Sequence, residues 1–105
     1  MVRLVLCNCS PTESSALAET LVRERLAACV NVVPGVKSFY VWQDEFHVDD
    51  EHTLLIKTTP ERYEALEARL SALHSYTAPE IVAFDSTAAL ESYLGWVHQQ
   101  TTERT

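Results

Sequence analysis

Glycine is almost missing from this chain: only Gly35 and Gly95 occur among 105 residues. Loops that cradle phosphate need several glycines whose backbone can approach the anion, so neither a Walker-type nor a dinucleotide-binding loop is available. Proline is scarce as well, with four in all, and no long stretch lacks apolar residues, which argues against extended disorder. Long apolar runs are absent too. Nothing approaches the ~18 residues of a membrane span, and the apolar start is shorter than a signal-peptide core, so neither a membrane nor export is expected. Positive charge is in deficit, 8 Lys+Arg against 15 Asp+Glu, for a formal net charge of −7. Nucleic-acid backbones and anionic membranes reward a basic footprint, so neither is an expected partner. A cation is the easier guest, although an acidic balance equally serves solubility. Cys7, Cys9 and Cys29 form an odd set with no scaffold spacing, which fits free thiols in a reducing, cytoplasmic setting.

What is present is enough for one packed core. Hydrophobic residues make up 47% of the chain, and residues 1–105 read as a single domain with a frayed tail over 101–105. Residues 2–7 read as a short buried strand. Ser10-Pro11-Thr12-Glu13 has a capping residue, a proline at the first helical position and a glutamate where a capping box needs it. A helix is expected from there, striped by Leu17, Leu21, Val22, Leu26 and Ala28, with Cys29 at its end. Two long runs rich in β-branched and aromatic residues follow, Val30 to Trp42 and Phe46 to Thr58, joined by Gln43-Asp44-Glu45. Pro34-Gly35 interrupts the first run and marks a bulge or bend. Thr59-Pro60-Glu61 repeats the cap signature before a helix striped by Tyr63, Leu66, Leu70 and Leu73, ending near His74. Ile81 to Phe84 reads as a buried strand, and Leu90, Tyr93, Leu94 and Val97 stripe a last helix.

Strand, helix, hairpin, helix, strand, helix is an α+β, ferredoxin-like βαββαβ order with an added C-terminal helix. Each hairpin strand is more than twice the roughly 5–6 residues usual for a strand, so half the hairpin overhangs the rest of the sheet. An apolar ribbon with unpaired edges needs a partner, and a second copy of the chain is the simplest one.

Five blocks carry a family resemblance: Arg25-Leu26-Ala27-Ala28-Cys29-Val30-Asn31, Ser38-Phe39-Tyr40-Val41-Trp42, Glu51 with Ile56-Lys57-Thr58, His74-x-Tyr76-x-x-Pro79-Glu80, and Tyr93-Leu94-Gly95-Trp96. In this order and spacing they resemble the CutA family of divalent-cation tolerance proteins. The resemblance implies a tight homotrimer similar in architecture to PII signalling proteins, and a role in tolerance of copper and other divalent metals. It also implies that Tyr40, Trp42, Glu51, Lys57, Glu80, Tyr93 and Trp96 cluster near clefts between subunits. Three departures stand out. Ser75 replaces the proline of a usual His-Pro-Tyr, Asp44 replaces a turn glycine, and Cys7-Asn8-Cys9-Ser10-Pro11 stands where a threonine or cysteine and then a proline are usual.

The metal-ligand candidates are Cys7, Cys9, Cys29 and His74, with copper or another divalent metal as the cofactor. Each has a plainer reading. Cys7 and Cys9 can be small residues at a strand end, Cys29 a core filler, and His74 a helix-terminal cation favoured by the dipole. Glu51 and Lys57 share a strand face but stand about 20 Å apart at the rise of a strand, so one chain cannot join them in one site. A cleft with aromatic walls and a few charges also resembles a small-ligand pocket, or the core and rim of an interface. No Ser/Cys–His–Asp spacing or two-histidine motif is evident, so an enzyme is not expected. The alternatives to metal tolerance are a PII-like sensor of a small ligand and a trimeric interaction scaffold.

Overall fold

The computed structural model describes residues 1–102. The elements are β1 (Arg3–Cys9), α1 (Ser14–Arg23), β2 (Cys29–Trp42), β3 (Glu45–Thr58), α2 (Pro60–Leu73), β4 (Ile81–Asp85) and α3 (Glu91–Gln100). The four strands form one antiparallel sheet in the order β2-β3-β1-β4, the ferredoxin-like arrangement that the element order implies.

Strand alternation divides the sheet into two unlike faces. Val5, Cys7 and Cys9 of β1 and Leu54 and Ile56 of β3 point to one side, where Leu17 and Leu21 of α1 and Leu66 and Leu70 of α2 close a core. Helix α2 starts as its sequence dictates: Thr59 Oγ1 accepts from the Arg62 amide at 3.3 Å, and Pro60 fills the first position, where its missing N–H is no loss.

Helix α1 begins later and ends sooner than its sequence suggests. Glu13 Oε2 does accept from the Ser10 amide at 3.2 Å, half of a capping box, but residues 11–13 form a turn and the helix opens at Ser14. At the other end Arg25 takes φ +60, and the Leu26 and Ala27 amides fold back on the Leu21 carbonyl. Leu26 and Ala28 are therefore buried in the connection, not on the helix stripe, and Cys29 opens β2. Val22, also assigned to the stripe, is 40% exposed. The frayed tail is corrected in part as well. Thr101 is buried, and its hydroxyl donates to the Val97 carbonyl at 2.8 Å, while residues 103–105 lie outside the described residues.

The hairpin is as long as expected, with 14 residues in each strand. Its turn is tighter than expected, because only Gln43 and Asp44 lie between the strands, at φ +51 and +65. Both central residues thus sit in the left-handed region that a two-residue turn of this hand requires. The Pro34-Gly35 interruption is a bulge: Val33 pairs with Thr53, and the next paired residue, Val36, meets Glu51. Gly35 supplies the φ of +74 there.

That one extra residue changes the parity of β2. Asn31 and Val33 share a face with Lys57 and Thr53 below the bulge; above it Ser38, Tyr40 and Trp42 are carried onto the same face, beside Asp49 and Glu51. Among the described residues no helix covers the centre of this second face. Leu4, Leu6 and Leu55 are half-buried on it, and Val33, Val82 and Phe84 are exposed. Helix α3 packs at one end through Val97 and Leu94 against Val2 and Ala28. On the opposite face of the overhanging ribbon, Phe39, Val41, Phe46 and Val48 are 46–68% exposed.

Candidate functional site

The second face ends in a cavity of about 430 Å³ at the junction of the hairpin, the end of β1 and residues 75–80. The bulged ribbon supplies Tyr40, Trp42, Asp49 and Glu51, β1 supplies Asn8, and the segment after α2 supplies Tyr76 and Glu80. Glu51 is the most enclosed of these at 7% exposed, and its Oε2 accepts from the Tyr76 hydroxyl at 2.9 Å. Burial first, and then the bond to Glu51, raise the Tyr76 phenol well above its ordinary pKa. Asp49 accepts from the Tyr40 hydroxyl, and Glu80 Oε1 accepts from Asn8 Nδ2 at 3.4 Å. The Asn8 amide is itself oriented by Thr53, whose Oγ1 donates to Asn8 Oδ1 at 2.6 Å.

Two local devices fix the segment that closes the cavity. His74 Nε2 lies 2.8 Å from the Asn8 carbonyl, and the Tyr76 amide donates to His74 Nδ1 at 3.1 Å. A carbonyl only accepts and an amide N–H only donates, so the neutral ring carries its proton on Nε2 and has no lone pair left for a metal. The second device is a clamp by Glu13: Ser75 donates its amide to Oε1 at 3.2 Å and its hydroxyl to Oε2 at 2.7 Å. Burial works against the Glu13 charge, but the bonds from Ser75 and Ser10 outweigh it and lower the carboxyl's pKa. A proline at position 75 could make neither bond, so the serine replaces ring rigidity with a charge-assisted tether.

Within one chain the four metal-ligand candidates do not form a centre. Cys7 and Cys9 point into the core and are fully buried. Burial is the main cause pushing their thiols up to about 12 and about 11, with Cys9 and Glu80 adding to the first and Glu13 and Glu51 to the second. Thiolates are the metal-binding form, so both positions oppose ligation. His74 is committed as described. Cys29 pairs with Lys57 on the other face of the sheet from Cys7, with the lysine Nζ 3.9 Å from its sulfur. Among the described residues no three His, Cys, Asp or Glu side chains are grouped so as to hold a metal ion. The residues present therefore do not fit a divalent metal inside a single subunit.

The seven cleft residues separate into two groups, as the Glu51–Lys57 spacing requires. Tyr40, Trp42, Glu51 and Glu80 line the cavity. Lys57 lies toward the opposite end, bonded to the Asn31 amide oxygen beside Cys29. Burial raises the Tyr93 phenol, with Cys29 next in effect, and the Tyr93 ring tilts against Trp96 at a centroid distance of 5.8 Å. Sequence reasoning did not select Asn8, Asp49 or Tyr76 as cavity walls. Asp49 was accessible to it, since it stands two residues from Glu51 on the same strand face.

A helix-backed antiparallel sheet, an overlong ribbon and an acid-and-aromatic cleft at the edge of the open face define a protein of the ferredoxin-like class. One structure of this class is a PII-like protein CutA from Nostoc sp. PCC 7120, which superposes with a TM-score of 0.92 at 34% identity over 97% of this chain and 99% of that one. The chain belongs to the family of the CutA1 divalent ion tolerance protein, whose model matches residues 3–100. A divalent-cation tolerance protein CutA from Thermus thermophilus is 48% identical over 93 residues, 87% of this chain and 90% of that protein. A solved Thermus thermophilus Cut A1 structure has a TM-score of 0.92 at 45% identity, covering 97% of this chain and 100% of that one. The chloroplastic protein CutA of Arabidopsis thaliana is 41% identical over 81% of this chain, which spans 47% of that longer protein. Among the described residues, no helix is long and apolar enough to cross a membrane.

Proposed function

We propose that the chain acts in divalent-cation tolerance, copper above all, as a homotrimer of the cytoplasm that binds its ligand and does not transform it. The observation that carries this reading is the open sheet face. Val33, Val82 and Phe84 on it, and Phe39, Val41, Phe46 and Val48 behind the ribbon, are apolar and exposed in one chain. Surfaces of this extent on a small protein mark contact with another molecule. The relatives' names supply the tolerance role, and the likeness to a PII-like protein supports self-assembly. Lys57 and the cavity sit at opposite ends of the face, so copies laid side by side would complete each cleft from two chains. Binding is favoured over catalysis because the cavity carboxylates are held by phenol and amide donors. A hydroxyl–imidazole pair does exist, Ser14 with His52 at 2.7 Å, but Ser14 is only 1% exposed.

Cells lacking their own copy, challenged with copper(II), test the proposal. Wild-type protein should restore growth, whereas Phe84→Asp, which places a charge on the apolar edge strand of the open face, should not. Full restoration by a variant shown to be monomeric would overturn it.

A further inference from the structure

The cavity's charge and walls specify a ligand class that the tolerance role does not. Its lining includes Asp49, Glu51 and Glu80 but no lysine, arginine or histidine. Glu51 is the informative member. It is 7% exposed and bonds to Tyr76 through one oxygen, while the other, with no hydrogen-bond donor among the described residues, stays open to solvent. A carboxylate this enclosed is normally matched by a counter-charge, and no ion pair among the described residues provides one.

The remaining walls decide which cation fits. Tyr40, Trp42 and Tyr76 bring three aromatic rings to the same space. Ring faces attract weakly hydrated cations, whereas a small divalent ion demands several oxygens converging on one point. Here the three carboxylates are tied to three different donors, Tyr40, Tyr76 and Asn8, and do not converge. A volume of about 430 Å³ also suits a small organic molecule better than one ion. An anionic nucleotide would face three like charges. Even with one Lys57 added by a second copy, the carboxylates outnumber the cation.

We infer that this cavity binds an organic cation, a protonated or quaternary amine, seated on Trp42 and the two tyrosines with its charge against Glu51. The lining named here comes from one chain, and in the proposed assembly a second copy completes the cleft beside it, so the inference rests on that reading.

Fluorescence of Trp42 in the full chain carrying Trp96→Phe, titrated at low salt, tests it. The probes are choline, its uncharged isostere 3,3-dimethylbutan-1-ol, zinc(II) and ATP. Choline should quench saturably. The alcohol should bind at least tenfold more weakly, and Glu51→Gln should weaken choline at least tenfold, with Glu80→Gln as the exposed substitute if Glu51→Gln does not fold. Equal binding of the alcohol, saturable binding of ATP, zinc(II) binding that alone depends on Glu51, or no choline saturation would each overturn the inference. So would choline binding seen only in Lys57→Ala, since the occupant would then be a lysine of a second copy.

Discussion

Replacing His74 with alanine removes the bond that joins the end of α2 to β1 and, with it, the bond that fixes the segment after α2. The Asn8 carbonyl and the Tyr76 amide, held at 2.8 and 3.1 Å from the ring nitrogens, lose their partners together. His74 is 7% exposed, so these groups are only partly able to turn to water. A net hydrogen bond contributes about 1 kcal/mol and a stranded buried group costs about 1–3 kcal/mol. With water entering the space the ring leaves and serving one of the two, the loss should be about 2–4 kcal/mol per chain. Guanidinium unfolding followed by circular dichroism, in EDTA and at one fixed protein concentration, measures it. His74→Gln, whose amide can still donate toward Asn8, should recover part of the loss. Equal midpoints for wild type and His74→Ala in EDTA, with wild type gaining stability only when metal is added, would refute the reasoning and make His74 a metal ligand.

Three further outcomes follow from the same contacts. Glu13 has a lowered pKa in the fold, so its contribution is present above the ordinary carboxylate pKa and is lost as pH falls through the lowered value. Glu13→Gln should therefore cost about 1 kcal/mol or less at neutral pH, given the partial exposure, and nothing once both carboxyl states are protonated; urea unfolding at the two pH values checks this. Asp44→Gly relieves one of the two positive-φ residues in the hairpin turn and should raise stability by about 0.5–1 kcal/mol in thermal unfolding. Cys7 and Cys9, buried with thiols raised to about 12 and about 11, should resist iodoacetamide in the native protein and react after unfolding, as peptide mass mapping would show.

Much of this fold is legible in the sequence because its signals are local. The Thr59-Pro60 cap and the Leu66–Leu70 spacing fix α2, and period-two alternation places Glu51 and Lys57 on one face yet far apart. Pro34-Gly35 is legible as an interruption, but its consequence is not. Only the register shows that one extra residue turns Tyr40 and Trp42 toward Glu51. The start of α1 misleads for a related reason: Ser10 and Glu13 do meet as a capping box suggests, on a turn that precedes the helix. His74 was least legible. Its spacing suggests a helix-end cation or a ligand, whereas its role depends on the carbonyl of Asn8, which lies 66 residues away in sequence. Contacts of that separation are set by strand pairing, which no local motif records.

The most direct test of the account is the mass of the native protein at micromolar concentration, by sedimentation equilibrium or native mass spectrometry. The open apolar face predicts a species of three times the 11.8 kDa chain mass, and a shift to one chain in Phe84→Asp. A wild-type protein that remains at the mass of one chain would contradict it.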